Sequence, residues 1–317
     1  MKLIVSELGA LERYVSREFH YVMTDLITNH DWRQVDTGKL WSGRRTMKEE
    51  LLDAFGELPE VILFWEGYDF LAARAGNVRQ LDCKKYIFAD DLHWWNEQMK
   101  LRRFVSFALC NMILSAYGYV WDNFYPHLSD FRKVAWVPHS ASPDFMLPFN
   151  HQPENSILLS GAVSEHYPLR QRMKLLHANH EYSIAYIPHP GYHCQYDYDN
   201  DENVGRGYAE KINRHRAGFT DSGKFKYVVA KYFEIPATGA LLLADRAVSG
   251  PLKRLGLIEN QHYLSVSDGN LEDRIRYVLD ERNHQELDEI RRRGRELIWE
   301  RHKTSDRARQ INEMCVA

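Results

Sequence analysis

Short apolar runs alternate with helix-period segments along almost the whole chain, and this alternation limits the possible folds more than any other feature. KLIVS (2–6), VILFWE (61–66), KYIFAD (85–90), the run over 112–120 and VAWVP (134–138) come first. The pattern resumes with SILLSGAV (156–163), YSIAYIP (182–188), AGFTDS (217–222), GALLLAD (239–245) and HYLSV (262–266). Helical patterns lie between them, through 11–27, through 167–179 and near 226–234. Near-continuous Val/Ile/Leu runs suit strands buried on both faces, and strands separated by helices pair in parallel. The expectation is an α/β chain of two doubly wound units. The break between them, HSASPDFMLPFNHQPENS (139–156), carries three prolines and little periodicity, as a crossover between domains would.

The C-terminal region reads as two helices. Leu271, Ile275, Val278 and Leu279 fall at i, i+4, i+7 and i+8, with Asp268 or Asn270 as cap. Leu287, Ile290, Leu297 and Ile298 share one face of the next helix, opposite a dense Arg/Glu face. RRRGR admits a nucleic-acid patch, but the interleaved acidic residues favour a solvated face with i,i+4 Glu–Arg pairs.

Charge narrows the partners. Lys and Arg number 41 against 44 Asp and Glu, a net of −3, so no basic field advertises nucleic acid. Four cysteines at 83, 110, 194 and 315 form no C-x-x-C and read as reduced thiols of a cytoplasmic protein. The apolar stretch before Glu7 is too short for a signal-peptide core. Residues 104–121 lack charge, but Ser106, Asn111, Ser115 and Gly118 interrupt them, which suits a helix followed by a buried strand better than a membrane span. Tyr117, Tyr119, Trp121, Phe124 and Tyr125, with Arg102 and Arg103 nearby, read as core and ordinary surface; the alternative is a peripheral membrane-docking face.

Doubly wound units bind ligands outside the carboxyl ends of their strands. In SILLSGAVSEHYPLRQR the small Gly161 and Ala162 allow close backbone approach. The following helix start, with Arg170 and Arg172, suits a phosphate. A turn glycine and surface arginines are the plainer reading of the same letters. Neither G-x-G-x-x-G nor G-x-x-x-x-G-K-[ST] occurs. In KFKYVVAKYFEIPATGALLLAD (224–245), Glu234 stands just before Pro236 and the small turn Ala237-Thr238-Gly239 that leads into a strand.

This last run resembles the donor-binding element of GT-B glycosyltransferases, in particular the CgeB-like group with its K-x-F-E-I-P-A-x-G stretch. SGAVSEHYPLRQR, HPGY (189–192) and ELDEIRRRGRELIWERHKTSDRARQI (286–311) extend the likeness over about 155–315, with weaker likeness at 84–95 and 134–145. The resemblance implies two facing Rossmann-like domains, an acceptor domain over 1–150 and a nucleotide-sugar donor domain over 151–300, with a C-terminal helix (301–317) crossing back. It implies transfer from a UDP- or GDP-sugar to a glycan, lipid or protein acceptor, with no metal and no other cofactor. Glu234 would accept hydrogen bonds from the donor ribose. Ala237, Thr238 and Gly239 would lie beside the nucleotide, and Gly161, Ala162, Arg170 and Lys231 beside the diphosphate. Where retaining relatives carry an E-x(7)-E pair, position 226 here is Lys, so the stereochemical outcome is not inherited.

Catalytic candidates in the first domain stand at strand ends, where a general base for an acceptor hydroxyl is needed. They are Asp91 and His93 after KYIFAD, and His139 after VAWVP. The alternatives are a helix cap for Asp91 and a histidine packed among Trp94 and Trp95. His189 and Tyr192 of the HPGYH turn could reach the cleft; with Cys194 and Asp197 they match no zinc spacing. An epimerase or hydrolase on the same scaffold and a degenerate sugar-binding or coat-assembly protein remain open beside the transferase.

Overall fold

The computed structural model describes residues 1–7, 9, 11, 14–40, 45–191 and 195–316. They form two compact units, one of Met1–Leu11, Val22–Pro138 and Arg307–Ala317, the other of Glu12–Tyr21 and His139–Asp306.

The first unit is built on a six-stranded sheet of β1 (Lys2–Ser6), β2 (Trp32–Asp36), β3 (Val61–Trp65), β4 (Lys84–Ala89), β5 (Met112–Ser115) and β6 (Lys133–Trp136). All pairings are parallel, in the order β2-β1-β3-β4-β5-β6. The order turns back on itself around β1, which has β2 on one side and β3 on the other. Every residue of β3 is buried, as a central parallel strand requires. The edge strand β2, WRQVD, is half polar and exposes Arg33, so it lacks the apolar run that betrays the others. The helix Met47–Phe55, also without a sequence expectation, is fixed by a capping box in which Thr46 and Glu49 satisfy each other's backbone N–H groups.

Two expectations in this unit shift. The helix anticipated over 11–27 spans Glu18–Asn29, because Arg17 takes the left-handed conformation (φ 54°), which a helix cannot continue through. The run over 112–120 is strand only to Ser115; Gly118–Asn123 then forms a 3-10 turn packed so closely on β6 that a methyl group on Gly118 would lie 3.0 Å from Cα of Trp136. Among the described residues no helix is long and apolar enough to cross a membrane. Tyr117, Trp121 and Tyr125 are buried, the last two edge-on to Phe107 at 5.0 and 5.1 Å between ring centroids, so they are core. The terminal segment completes the unit: Asn312 accepts from the Trp32 indole (3.0 Å) and from Lys2 (3.2 Å), and Ile311 and Cys315 enter the core.

The second unit carries β7 (Glu154–Gly161), β8 (Ile184–Pro188), β9 (His215–Thr220), β10 (Leu241–Asp245) and β11 (Leu264–Val266), parallel throughout in the order β11-β10-β9-β7-β8. Here the order turns back around β7. Helices Pro168–Ala178, Leu271–Leu279 and His284–Arg301 bury Met173, Ile275, Val278, Leu287 and Ile290 against or beside the sheet. The helix expected near 226–234 spans Lys231–Ala237, since Lys226 is left-handed (φ 58°). Helix Gly205–Arg214, which buries Tyr208, Ala209 and Ile212, has no sequence expectation.

The caps and charges of the C-terminal helices differ in detail from expectation. Asn270 stands at the cap position, but its side-chain oxygen accepts from the backbone N–H (2.7 Å) and hydroxyl (3.0 Å) of Ser267. Arg291 of RRRGR is not solvated. It is 1% exposed and donates to the carbonyls of Gly239 (2.8 Å) and Asn150 (2.9 Å) while pairing with Asp288 at 2.6 Å.

Candidate functional site

β7 ends where the strand order of the second sheet reverses, and a cavity of about 180 Å³ opens there. Such reversal points leave a crevice at the strands' carboxyl ends because the flanking connections depart to opposite faces. Gly161 closes the strand with φ +94°, and a methyl group on it would stand 2.9 Å from Cε of Lys231, so both backbone shape and crowding require glycine.

One wall is cationic. Arg170, in the first turn of helix Pro168–Ala178, is 3% exposed and is held by Asp221 at 2.9 Å, by the Thr220 hydroxyl at 3.0 Å and by the Ala162 carbonyl at 3.2 Å; its guanidinium lies 4.0 Å from the Tyr167 ring centroid. Burial pushes the Asp221 carboxyl up, against the pull of Arg170. Lys231 reaches in from the start of helix Lys231–Ala237, its Nζ 5.2 Å from the Tyr208 ring centroid. His189, after β8, accepts from the backbone N–H of Gly191 (3.0 Å). Burial, with the charges of Lys231 and Arg170, lowers its pKa to about 4 and keeps the ring neutral at physiological pH.

The other wall is acidic and is built partly by residues 14–21, the segment from the N-terminal part of the chain that belongs to this unit. Four hydrogen bonds bind that segment down: Gly205 N–H to the Val15 carbonyl (2.7 Å), Tyr198 to the Tyr14 carbonyl (2.7 Å), Ser142 to the Ser16 carbonyl (2.9 Å) and Tyr21 to Asp144 (3.0 Å). They present Glu18, whose Oε2 lies 2.7 Å from Nδ1 of His139 and whose Oε1 accepts from the backbone N–H (2.5 Å) and hydroxyl (2.8 Å) of Ser140. His139 stacks on Phe19. Glu234, one turn after Lys231 on helix Lys231–Ala237, also lines the cavity. Burial raises its pKa; Lys231, a hydrogen bond from Ser16 and His139 oppose that rise, and Glu18 adds to it.

The structure therefore brings Gly161, Ala162, Arg170, Lys231, Glu234, His139 and His189 to one cavity. His139, expected at the edge of the first domain, belongs to the second unit. Ala237, Thr238 and Gly239 do not line the cavity. The Ala237 carbonyl accepts from the Trp299 indole (2.9 Å), Thr238 bonds to the Ile235 carbonyl (2.8 Å), and Gly239, at φ +87°, lies against Phe149 and gives its carbonyl to Arg291. Arg172 is occupied by Asp268 (2.8 Å) and Glu272 (2.6 Å).

Asp91 and His93 lie in the first unit and line none of its described cavities. Asp91 is exposed, with its carbonyl bonded to Arg103, and His93 packs edge-on to Trp95. The cap of the following helix is Asn96, which accepts from Met99 N–H at 2.8 Å. Tyr192 and Cys194 lie outside the described residues. Among the described residues no three His, Cys, Asp or Glu side chains are grouped to hold a metal ion. Glu18, Ser16 and Ser140 carry no local signal: Glu18 reads as an ordinary first-turn helix acid, and its partner is 121 residues away.

A pocket lined by both cationic and acidic side chains suits a ligand carrying an anionic group beside hydroxyls. Residues 172–313 match the family described as glycosyl transferase-like. No curated protein matches the chain in sequence. Among solved structures, sucrose-phosphate synthase of Thermosynechococcus elongatus is 11% identical, with a TM-score of 0.62 over 99% of this chain and 98% of that one. Anabaena HepE, solved with UDP and glucose, is 10% identical, with a TM-score of 0.60 over 99% of each chain. An alpha-glucosyltransferase solved with UDP and a 13-mer DNA is 9% identical, with a TM-score of 0.63 over 100% of this chain and 99% of that one. At such identities the likeness is one of fold, and the fold is GT-B: two parallel-sheet α/β domains, of six and five strands here.

Proposed function

We propose that this chain is a metal-independent glycosyltransferase, moving a sugar from a UDP- or GDP-sugar to a hydroxyl of an acceptor. The carrying observation is the cavity at the strand reversal of the second sheet, which Gly161, Arg170, Lys231 and Glu234 all line. HepE and the alpha-glucosyltransferase, which share the fold, were solved with UDP or its sugar, and the family match runs through the same unit. Lys231, Arg170 and the N–H groups opening helix Pro168–Ala178 meet the diphosphate. As the bond from the anomeric carbon to the diphosphate oxygen breaks, that oxygen takes the electron pair, and these cations and dipoles stabilise its charge. Glu234 accepts from ribose hydroxyls. His139, fixed by Glu18, faces the same ligand from the acidic wall.

The KYFEIPATG run supports a CgeB-like enzyme, and the free thiols of Cys83, Cys110 and Cys315 support a cytoplasmic setting. The test is thermal stabilisation by UDP, GDP and their sugars in EDTA, with Glu234→Gln and Lys231→Met alongside. One nucleotide family stabilises the wild type by several degrees, and both variants lose most of that shift. Stabilisation by no nucleotide, or only when a divalent metal is supplied, overturns the corresponding part of the reading.

A further inference from the structure

Helix Glu97–Leu109 of the first unit turns polar side chains inward and apolar ones outward. Its buried face holds Arg103 and Ser106 beside Phe107 and Leu109, with the Ser106 hydroxyl donating to the Arg102 carbonyl at 2.8 Å. Its outward face carries Leu101, Phe104, Val105 and Ala108, at the i, i+3, i+4 and i+7 spacing of a single stripe. Leu101 is 62% exposed and Phe104 41%. An apolar stripe of this kind ordinarily faces a packing partner.

Beside the stripe lies a groove. A cavity of about 360 Å³ runs between the helix and residues 124–128, and Leu101, Phe104, Phe124, Pro126 and Leu128 give it an apolar lining. The chain turns immediately after it. Phe131 N–H donates to the Leu128 carbonyl (3.3 Å), and Arg132 ties the turn to the helix through the Ala108 carbonyl (2.8 Å). That turn holds the Phe131 ring 54% exposed. A projecting aromatic ring and an apolar groove therefore share one face.

Charge indicates what covers this face. Lys100 stands 3.7 Å from Glu97 and over the Trp94 ring at 4.8 Å, Arg102 pairs with Asp69 at 2.6 Å, and Arg132 donates to the carbonyls of Phe131 and Ala108. Lys133 is exposed, but so are Glu97, Asp122 and Asp130. An anionic bilayer is held by clustered Lys and Arg and is repelled by carboxylates. A strongly charged partner finds no field of one sign. A second copy of the same surface fits both features, because a two-fold contact needs a patch that complements itself, with projection beside recess and both signs of charge around the rim.

We propose that this face joins two copies of the chain in a two-fold dimer, with Phe131 of each copy seated in the other's groove against Leu101 and Phe104. None of these residues lines the nucleotide cavity, so the dimer fails or stands independently of the transferase reading.

The experiment is sedimentation velocity of the full chain from about 1 to about 100 μM, with Phe131→Ser and Leu101→Glu alongside. Leu175→Ser, at a 64% exposed leucine of the second unit, is the control. Wild type and control show the same monomer–dimer equilibrium, and the two test variants raise its Kd at least about tenfold with wild-type melting behaviour. Amide exchange of the wild type, which involves no variant, slows over 97–109 and 124–131 as concentration rises. A wild-type chain monomeric throughout, a dimer that both variants leave intact, or protection confined to other segments overturns the assignment. So does flotation of a monomeric chain with vesicles of phosphatidylglycerol and phosphatidylethanolamine that Leu101→Glu abolishes, which makes the cover a bilayer.

Discussion

Glu18 and His139, 121 residues apart in the chain, meet at 2.7 Å in the wall of the second unit's cavity, both almost wholly buried. The Ser140 backbone N–H also depends on Glu18, so one carboxylate satisfies two neighbouring residues. Glu18→Ala strands those donors without solvent and costs about 1–3 kcal/mol, or a fall in Tm of about 2–4 °C per kcal/mol. Glu18→Gln, which keeps an acceptor oxygen, loses less. Calorimetry of the two variants checks the order; an alanine variant as stable as wild type shows that the pair contributes nothing.

Gly161→Ala tests the cationic wall with a single methyl group. The added carbon would sit 2.9 Å from Cε and 3.3 Å from Nζ of Lys231, on a backbone at φ +94° that L residues avoid. Lys231 has to move, and affinity for the stabilising nucleotide falls at least about tenfold, roughly 1.4 kcal/mol. Undiminished affinity in a folded Gly161→Ala protein means that Lys231 does not meet the nucleotide.

His189 gives the unit a pH signature. Its pKa in the folded chain is about 4, against an ordinary value of 6.5, so between those limits the unfolded chain binds more protons than the folded one. Its contribution to stability is fully present above about 6.5 and is lost as pH falls towards 4. Melting curves across that window fall less steeply for His189→Gln than for wild type; parallel curves rule out the depressed pKa.

The sheets were the readable part of this chain because central parallel strands must be apolar along their whole length, as in VILFW and LLLAD. WRQVD was not readable, since an edge strand can afford Arg33 and Gln34. Gly161, Arg170, Lys231 and Glu234 were legible as a set through their resemblance to a known donor element, and all four line one cavity. Ala237-Thr238-Gly239 belonged to the same recognised run, but a methyl group on Gly239 would meet Phe149 at 3.0 Å and Arg295 at 3.4 Å, and its carbonyl accepts from Arg291. Glu18 was hidden because its pairing with His139 and Ser140 is a tertiary contact with no local signature. Arg291 is hidden for a related reason: a helix face rich in charge reads as solvated, and only the fold reveals that Gly239 and Asn150 offer carbonyls to bury one of those charges.

The boundaries of the two units fall after Leu11, Tyr21, Pro138 and Asp306, so each unit is assembled from pieces distant in the chain. During synthesis, β1 to β6 leave the ribosome long before Asn312, to which Trp32 and Lys2 bond. The earliest-made sheet therefore waits, unfinished, for the last helix, Thr304–Val316. A gene cut at residue 138 would give two fragments, one lacking its closing helix and the other lacking Glu18, and only supplying both together restores the parts each needs.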